Sequence, residues 1–171
     1  KVDFVELQAR AQLALGSPDA PSDLALALDY RLRHLLVDEF QDTSSAQYRL
    51  LATLTSGWSP EDGRTLFLVG DPMQSIYRFR EAEVGLYLAA WETGLAGLPL
   101  HQLRLTVNFR SRAPVVAWIN TAFESIFPDH MDVARGAVPY AAATPFHTGD
   151  GSDGVTVHAH GKRDDGAESR T

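Results

Sequence analysis

The spacing of apolar residues divides the first 127 residues into alternating helical and extended segments. Apolar positions at helical spacing predict amphipathic helices, and short uninterrupted apolar runs predict buried strands. The predicted helices cover residues 3–15, Pro21 to Tyr30, 44–56, 81–94 and 113–127. The predicted strands cover residues 34–37, 65–70 and 101–107. Asp3 is the expected N-cap of the first helix, and Thr43 or Ser44 is that of the third.

The order of these segments predicts an α/β fold. A strand, a helix and a second strand follow one another within residues 34–70, which indicates a βαβ unit with a parallel sheet and a right-handed crossover. The periodicity weakens after Pro128. Residues 136–154 are rich in Gly, Pro and Ala and predict a loop, residues 155–160 predict one more strand, and the last ten residues predict disorder.

Composition narrows the class of protein. The chain is 44% hydrophobic and 22% charged, which is typical of globular proteins. It contains no cysteine, which excludes disulfides, thiolate metal sites and a cysteine nucleophile. We find neither a secretory signal nor an apolar run near the ~20 residues of a membrane span, so we expect a cytoplasmic protein. The chain begins with Lys1, and we expect it to be a segment of a longer protein.

The net charge of −7 argues against nucleic acid as a partner, but the charge is unevenly distributed. Acidic residues dominate residues 19–42 and the tail, whereas arginines gather at Arg78, Arg80, Arg104, Arg110 and Arg112. Local charge governs phosphate binding more than the total does. The alternative is that these arginines only solvate a surface.

The stretch LLVDEFQDTSS (35–45) places Asp38 and Glu39 directly after a predicted strand. Ligands of parallel sheets bind at the carboxyl ends of the strands, where Asp71 follows the next strand. Asp38 is therefore a candidate to hold Mg²⁺ through water, and Glu39 to orient or deprotonate an attacking water. The structural alternative is that both carboxylates cap the helix at 44–56.

The stretch LVGDPMQSIYRFR (68–80) carries a polar Gln74 after a strand end and then Tyr77, Phe79 and Arg80. Aromatic rings stack on bases and guanidinium groups bind phosphates, so this interleaving is typical of proteins that bind single-stranded nucleic acid. The alternative is a helix start with Ile76, Tyr77 and Phe79 packed into a core.

The stretch LTVNFRSR (105–112) is the third candidate. Asn108, Phe109 and Arg110 are expected to leave a strand and to precede a helix that begins near Pro114. Phe109 offers a ring for stacking on a flat group, and Arg110 offers a guanidinium for a phosphate. The alternative is that these residues anchor a loop.

Together, VDEFQDTS, VGDPMQSIYRFREAE and LTVNFRSR resemble motifs II, III and IV of superfamily 1 helicases of the UvrD/Rep type, with the second closest to the RecB/AddA-like branch. The resemblance covers residues 1–127 and implies a P-loop NTPase fold with a RecA-like parallel sheet and flanking helices. It implies that residues 1–98 are the C-terminal half of a first motor domain and 99–127 the start of a second. Residues 128–171 would be a loop-rich tail.

The resemblance also implies cofactors and roles for the acidic pair. ATP and Mg²⁺ would bind in a cleft between two RecA-like domains, with Asp38 on the metal and Glu39 as the catalytic base. Gln41 and Asp42 would belong to the same motif and tie the nucleotide site to the interdomain network. Gln74 would contact the γ-phosphate or its water.

The remaining roles concern DNA and the second domain. Tyr77, Phe79 and Arg80 would contact single-stranded DNA, Phe109 would stack on adenine, and Arg110 would reach the γ-phosphate. Glu81 stands where the family usually has Gly, which weakens the expected phosphate contact of Arg80. The implied activity is 3′-to-5′ unwinding of duplex DNA in recombination or repair, and the implied protein partner belongs to a helicase–nuclease complex.

One expected part of the machinery is missing from these residues. The chain contains no GxxxxGKT-type loop to cradle the β- and γ-phosphates, so we expect the chain alone not to hydrolyse ATP. Motifs V and VI are missing as well. The main rival hypothesis is therefore a non-catalytic, truncated or degenerate helicase module that binds DNA or a partner. A second rival is a P-loop ATPase that does not use DNA.

Overall fold

The computed structural model describes residues 3–17, 19–76, 83–149 and 154–159. The helices are α1 (Phe4–Leu15), α2 (Asp23–Arg31), α3 (Ser45–Leu54), α4 (Val84–Thr93) and α5 (Ala113–Glu124). The strands are β1 (Gly16–Ser17), β2 (Ala20–Pro21), β3 (His34–Val37), β4 (Thr65–Leu68), β5 (Val107–Arg112) and β6 (Thr144–His147). Short 3-10 turns occupy Phe40–Asp42 and Pro72–Gln74.

The chain divides into two compact units. Unit 1 contains residues 1–104 and 127–140, and unit 2 contains residues 105–126 and 141–171. Each unit has its own pair of parallel strands, so the mixed α/β class is confirmed. The RecA-like arrangement of a complete sheet and the division at residues 98 and 127 stay predictions.

Unit 1 contains the predicted βαβ unit. Strands β3 and β4 pair in parallel from His34 opposite Thr65 to Val37 opposite Leu68, and α3 connects them. The side chains alternate along both strands, because successive residues of a strand point to opposite faces. One face contributes Val37, Leu66 and Leu68 to the core around Phe40, Ala90 and Leu95.

The other face of this strand pair is open. Leu36 and Phe67, which are cross-strand partners, are 68% and 52% exposed. The two predicted buried strands are therefore buried on one face only among the described residues. An apolar run gives no alternation that reveals an open face, since it reads the same whether one face or both are covered.

The helix starts follow their capping residues. The Asp3 carboxylate accepts from the Glu6 N–H at 2.8 Å, which confirms the predicted cap of α1. Helix α2 begins at Asp23 because the Ser22 hydroxyl caps it, and the prediction that Pro21 lies in its first turn is wrong. Pro21 instead pairs with Gly16 in a short antiparallel hairpin.

The strand positions around the start of unit 2, at residue 105, depart from the prediction. Residues 101–106 lie outside any strand, and β5 begins only at Val107, where the Thr106 carbonyl accepts from the Thr144 N–H at 2.7 Å. Leu105 is 97% exposed, and no described strand pairs with it. No described strand pairs with residues 101–106. The predicted strand at 101–107 is therefore wrong except at Val107.

Strand β6 lies in a stretch that the sequence predicted as loop. The Asn120 side chain of α5 donates to the Ala143 carbonyl at 2.9 Å and accepts from its N–H at 3.1 Å. This double hydrogen bond places Thr144 beside β5. Residues 155–159, predicted to form a strand, have no regular structure, and His160 lies outside the described residues. No helix in the described parts of the chain is long and apolar enough to cross a membrane.

Candidate functional site

The acidic pair lies at the carboxyl end of β3, beside the end of β4. The Val69 N–H donates to the Val37 carbonyl, and the Phe40 N–H donates to the Val69 carbonyl, both at 2.8 Å. The two chain segments therefore remain side by side beyond the regular strands. Asp38 and Glu39 lie at this edge, which is where parallel sheets bind ligands.

Glu39 has a strained backbone. Its φ of 52° and ψ of 40° lie in the left-handed region, which costs a non-glycine residue about 1–2 kcal/mol. The Glu39 N–H donates to the Asp38 Oδ1 at 3.0 Å. The next residue, Phe40, is 1% exposed and packs in the core. The sharp turn thus keeps two carboxylates at the surface while the following ring is buried, and strain of this kind clusters at functional sites.

The carboxylates are not caps of the following helix. Ser44 caps α3 in a capping box: its hydroxyl accepts from the Gln47 N–H, and the Gln47 side chain accepts from the Ser44 N–H at 2.8 Å. Glu39, which precedes the 3-10 turn, makes no side-chain capping bond. The capping alternative for Asp38 and Glu39 is therefore wrong, and the prediction of a Ser44 cap is confirmed.

A hydrogen-bonded chain connects Glu39 to Gln74. The Gln41 Nε2 donates to the Glu39 Oε2 at 2.6 Å, and the Gln41 Oε1 accepts from the Asp71 N–H at 3.0 Å. The Asp71 Oδ2 accepts from the Gln74 Nε2 at 2.6 Å. The Gln41 Nε2 also lies 3.4 Å from the Asp42 Oδ2. The structure thus joins the candidate residues that follow β3 to the candidate residues that follow β4.

The segment after Gln74 is tied to the same turn. The Ser75 hydroxyl donates to the Asp42 Oδ1 at 3.2 Å, and further along the Glu83 N–H donates to the Thr43 carbonyl at 3.2 Å. Tyr77, Phe79 and Arg80 lie outside the described residues, so their predicted DNA contacts stay predictions. Ile76 is 71% exposed, which contradicts the alternative that it packs in a core.

Tyr87 of α4 contacts the segment that follows β4. Its hydroxyl donates to the Gly70 carbonyl at 3.2 Å. Burial raises the pKa of the Tyr87 hydroxyl, the Asp71 carboxylate raises it further, and Arg104 opposes the shift. The hydroxyl therefore stays protonated over a wide pH range and remains a donor.

The acidic residues fit a magnesium ion that is mostly held by water and phosphate. Among the described residues no three metal-ligating side chains converge on one point. Mg²⁺ in phosphoryl-transfer sites is bound through one or two carboxylates, with water and substrate phosphates completing the shell. Asp38 alone, exposed at the strand end, meets that requirement.

Unit 2 positions Phe109 and Arg110 inside β5, not after it as the sequence predicted. The pairing of β5 with β6 is irregular here: Asn108 lies opposite Pro145, but Arg112 lies opposite His147. The Asn108 Oδ1 accepts from the Arg110 and Ser111 N–H groups at 2.9 Å. This bulge leaves Phe109 61% exposed, and bulges commonly aim side chains at functional sites.

Sequence reasoning missed the partners of these residues. Phe146 of β6 is 60% exposed, and its ring centroid lies 4.7 Å from that of Phe109. Phe146 lies in a Pro- and Ala-rich stretch whose sequence did not indicate a strand or a ring partner. The role of Asp71 as acceptor for Gln74 was missed as well, although an Asp three residues before a Gln in a turn is a pattern that permits such a bond.

Comparison of the sequence with known proteins finds similarity to a helicase family. Residues 1–93 match the family model of the UvrD/REP helicase N-terminal domain, which is more than half of the 171 residues. The chain is 38% identical over 148 residues to the ATP-dependent helicase/nuclease A-subunit of Exiguobacterium sibiricum, covering 86% of this chain and 12% of the relative. The protein of the same name from Pelotomaculum thermopropionicum is also 38% identical over 148 residues, covering 82% of this chain and 11% of the relative.

A third relative of the same name, from Moorella thermoacetica, is 43% identical over 110 residues, which is 63% of this chain and 8% of the relative. The chain thus spans only 8% to 12% of the length of these proteins. The resemblance to the AddA/RecB-like branch is confirmed by these matches.

Proposed function

The chain belongs to the UvrD/REP helicase family, and on that premise we propose that it is a segment of an ATP-dependent DNA helicase for recombination or repair. The observation that carries the proposal is the exposed acidic pair after β3. Its carboxylates are not used as helix caps, and a buried glutamine holds one of them in a strained turn. A strand end with ionisable groups arranged in this way suits phosphoryl transfer to water.

In this proposal Glu39 accepts the proton of the attacking water, and Asp38 holds Mg²⁺. The metal, when bound, neutralises charge on the β- and γ-phosphates. The Gln74 side chain donates to the γ-phosphate or accepts from the attacking water. Its position therefore changes when ATP is hydrolysed. Asp42 bonds Ser75, so the turn after Glu39 and the segment after Gln74 move together.

The unit 2 residues recognise the nucleotide in this proposal. Phe109 stacks on adenine, and Arg110 binds the γ-phosphate, where it offsets negative charge that develops in transfer. The exposure of Phe109 and the bulge in β5 support these roles. Tyr77 and Phe79 stack on successive bases, and Arg80 binds a phosphate of single-stranded DNA.

The finer assignments follow the same premise. We propose 3′-to-5′ translocation, a partner in a helicase–nuclease complex, and action in the cytoplasm; the first two are features of the helicase type that the motifs resemble. We also propose that the 171 residues alone do not hydrolyse ATP, because they contain no loop to cradle the β- and γ-phosphates.

The test is strand displacement by the protein of the complete reading frame that contains this chain. Duplexes with a 3′ or a 5′ single-stranded tail are incubated with Mg²⁺ and ATP, and ATP hydrolysis is followed with and without single-stranded DNA. We expect displacement from the 3′-tailed duplex and DNA-stimulated hydrolysis. DNA binding without hydrolysis would favour the non-catalytic module, and hydrolysis that DNA does not stimulate would favour an ATPase without a DNA substrate.

A double variant tests the DNA contacts separately. Replacing Tyr77 and Phe79 by alanine is expected to remove most of the stimulation by single-stranded DNA, because each stacked base contributes about 1–3 kcal/mol. Hydrolysis without DNA should change little. Unaltered stimulation would contradict the assignment of this stretch to DNA.

A further inference from the structure

Gln41 is the most deeply placed polar side chain of the site. It is 1% exposed, although amide side chains are mostly found at protein surfaces. Burial of an amide is costly unless its polar atoms are hydrogen-bonded. Both ends of this amide have partners, since Nε2 donates to Glu39 and Oε1 accepts from the Asp71 N–H. The buried amide therefore fixes the position of Glu39, after β3, relative to Asp71, after β4.

The chemistry of the partners fixes the orientation of the amide. The Asp71 N–H is a donor only, so it requires the oxygen of the Gln41 side chain. That orientation turns the NH₂ group toward the Glu39 carboxylate, which is an acceptor. A glutamate at position 41 offers no such pair, because its carboxylate would face the Glu39 carboxylate.

The surrounding backbone leaves space for this amide and little else. A Cβ on Gly70 would lie 2.5 Å from the Gln41 Oε1, 3.1 Å from the Gln41 N and 3.1 Å from the Tyr87 Cε2. Such distances are shorter than van der Waals contact, so glycine at position 70 is required by the close approach.

We propose that Gln41 is a positioning residue that holds Glu39 and Gln74 in one hydrogen-bonded unit, through its amide and Asp71. This inference rests on the proposed function of Glu39 as the base and Gln74 as the residue at the γ-phosphate. The bond to Glu39 Oε2 fixes the carboxylate and leaves Oε1 to accept the proton of water. The bond from Asp71 Oδ2 fixes the Gln74 amide. A shift of Gln74 when the γ-phosphate leaves would therefore move Asp71, Gln41 and Glu39 through these hydrogen bonds.

The test is Gln41→Glu in the protein of the complete reading frame, with saturating single-stranded DNA. A glutamate at position 41 cannot donate to the Glu39 Oε2 and places a second carboxylate against it, so the base loses the bond that orients it. We expect kcat at neutral pH to fall by about tenfold or more. The KM for ATP should change by less than about threefold, because the substitution disturbs a group that acts in the chemical step. A purely structural role would lower the thermal midpoint without lowering the kcat of the folded protein.

Gln8→Glu is the control, because it is the same substitution on α1, outside the cavity that Asp38 and Glu39 line. Its kcat and KM should match those of the unmodified protein. The double variant Glu39→Gln with Gln41→Glu exchanges the pair and restores one donor and one acceptor. We expect it to recover the thermal stability lost in Gln41→Glu, with turnover as low as in Glu39→Gln.

The outcomes separate the inference from its premise. If Glu39→Gln alone retains turnover, the proposed base is wrong whatever Gln41 does. If Glu39→Gln is inactive but Gln41→Glu folds and retains more than about half of kcat, the positioning role is wrong. If Gln41→Glu does not fold, Gln41→Met is measured instead. The inference then requires a lower kcat at an unchanged affinity for a non-hydrolysable ATP analogue, and an unchanged kcat overturns it.

Discussion

Two phenylalanines, one in each unit, follow polar candidate residues and have opposite environments. Phe40, after Asp38 and Glu39, is 1% exposed, whereas Phe109, after Asn108, is 61% exposed. The strained turn at Glu39 directs the Phe40 ring into the core and leaves the carboxylates at the surface. In β5, by contrast, the bulge leaves the Phe109 ring itself at the surface.

The difference indicates how each region performs its proposed task. The strand-end site of unit 1 is fixed by hydrogen bonds among its own residues and by a buried ring beneath it, which suits groups that must be held in place for chemistry. Phe109 and Arg110 of unit 2 extend from an irregular strand. Exposed rings and guanidinium groups suit recognition of a ligand that arrives from solution.

The largest expected effect comes from exchanging the two rings for alanine. Phe40→Ala should lower the free energy of unfolding by about 3–5 kcal/mol, because it opens a cavity in the core. Phe109→Ala should cost less than about 1.5 kcal/mol, since the ring is largely exposed and loses its contact with Phe146. Urea denaturation of both variants checks this, and comparable losses would contradict the contrast between the regions.

Phe109→Ala has a second expected consequence. Affinity for ATP should fall while kcat at saturating ATP stays close to that of the unmodified protein, because stacking binds ground state and transition state equally. Steady-state kinetics over a range of ATP concentrations measure the split. An unchanged KM would exclude the adenine contact.

A smaller effect is expected where Gly70 approaches the Gln41 side chain. Gly70→Ala brings a methyl group within 2.5 Å of the Gln41 Oε1, and overpacking of this kind costs about 1–3 kcal/mol. Gly154→Ala is the matched control, since a Cβ there has no described atom within 4 Å. Equal thermal midpoints for the two variants would show that Gln41 has room to move.

The smallest expected effect concerns pH. The folded protein raises the pKa of Tyr87 above its ordinary 10.0, so the stability from this group is complete below that pH and is lost as pH rises through the folded pKa. Tyr87→Phe removes one hydrogen bond, worth about 0.5–1.5 kcal/mol, at neutral pH. It should also reduce the decline of stability above about pH 10. Urea midpoints on both sides of that pH measure both effects, and an identical alkaline decline would contradict the role of Tyr87.

Much of unit 1 was predictable because its signals are local. The cap at Ser44, the apolar runs of β3 and β4 and the acidic pair all lie within a few residues of the features they determine. The hydrogen bond between Gln41 and Asp71 was not predictable, because it joins residues 30 apart in sequence through a buried amide.

Unit 2 was predicted less well because its strands depend on distant partners. The alternating residues at 101–106, at the sequence boundary between the units, pair with no strand in the described part of the chain. Residues 144–147 form β6 although they include Pro145, which disfavours a strand. The two side-chain bonds from Asn120 to Ala143 decide that pairing. Such tertiary contacts leave no periodic pattern in the sequence.

The most direct test of the account is ATP hydrolysis by Glu39→Gln in the protein of the complete reading frame, with single-stranded DNA present. Glu61→Gln is the control, because Glu61 is also an exposed glutamate with a positive φ, of 68°, but lies in the loop that leads into the amino end of β4, opposite the carboxyl ends. We predict that Glu39→Gln lowers kcat by about 10²–10⁴-fold while ATP still binds, and that Glu61→Gln has no such effect. Turnover in Glu39→Gln that matches Glu61→Gln would contradict a catalytic role for the acidic pair.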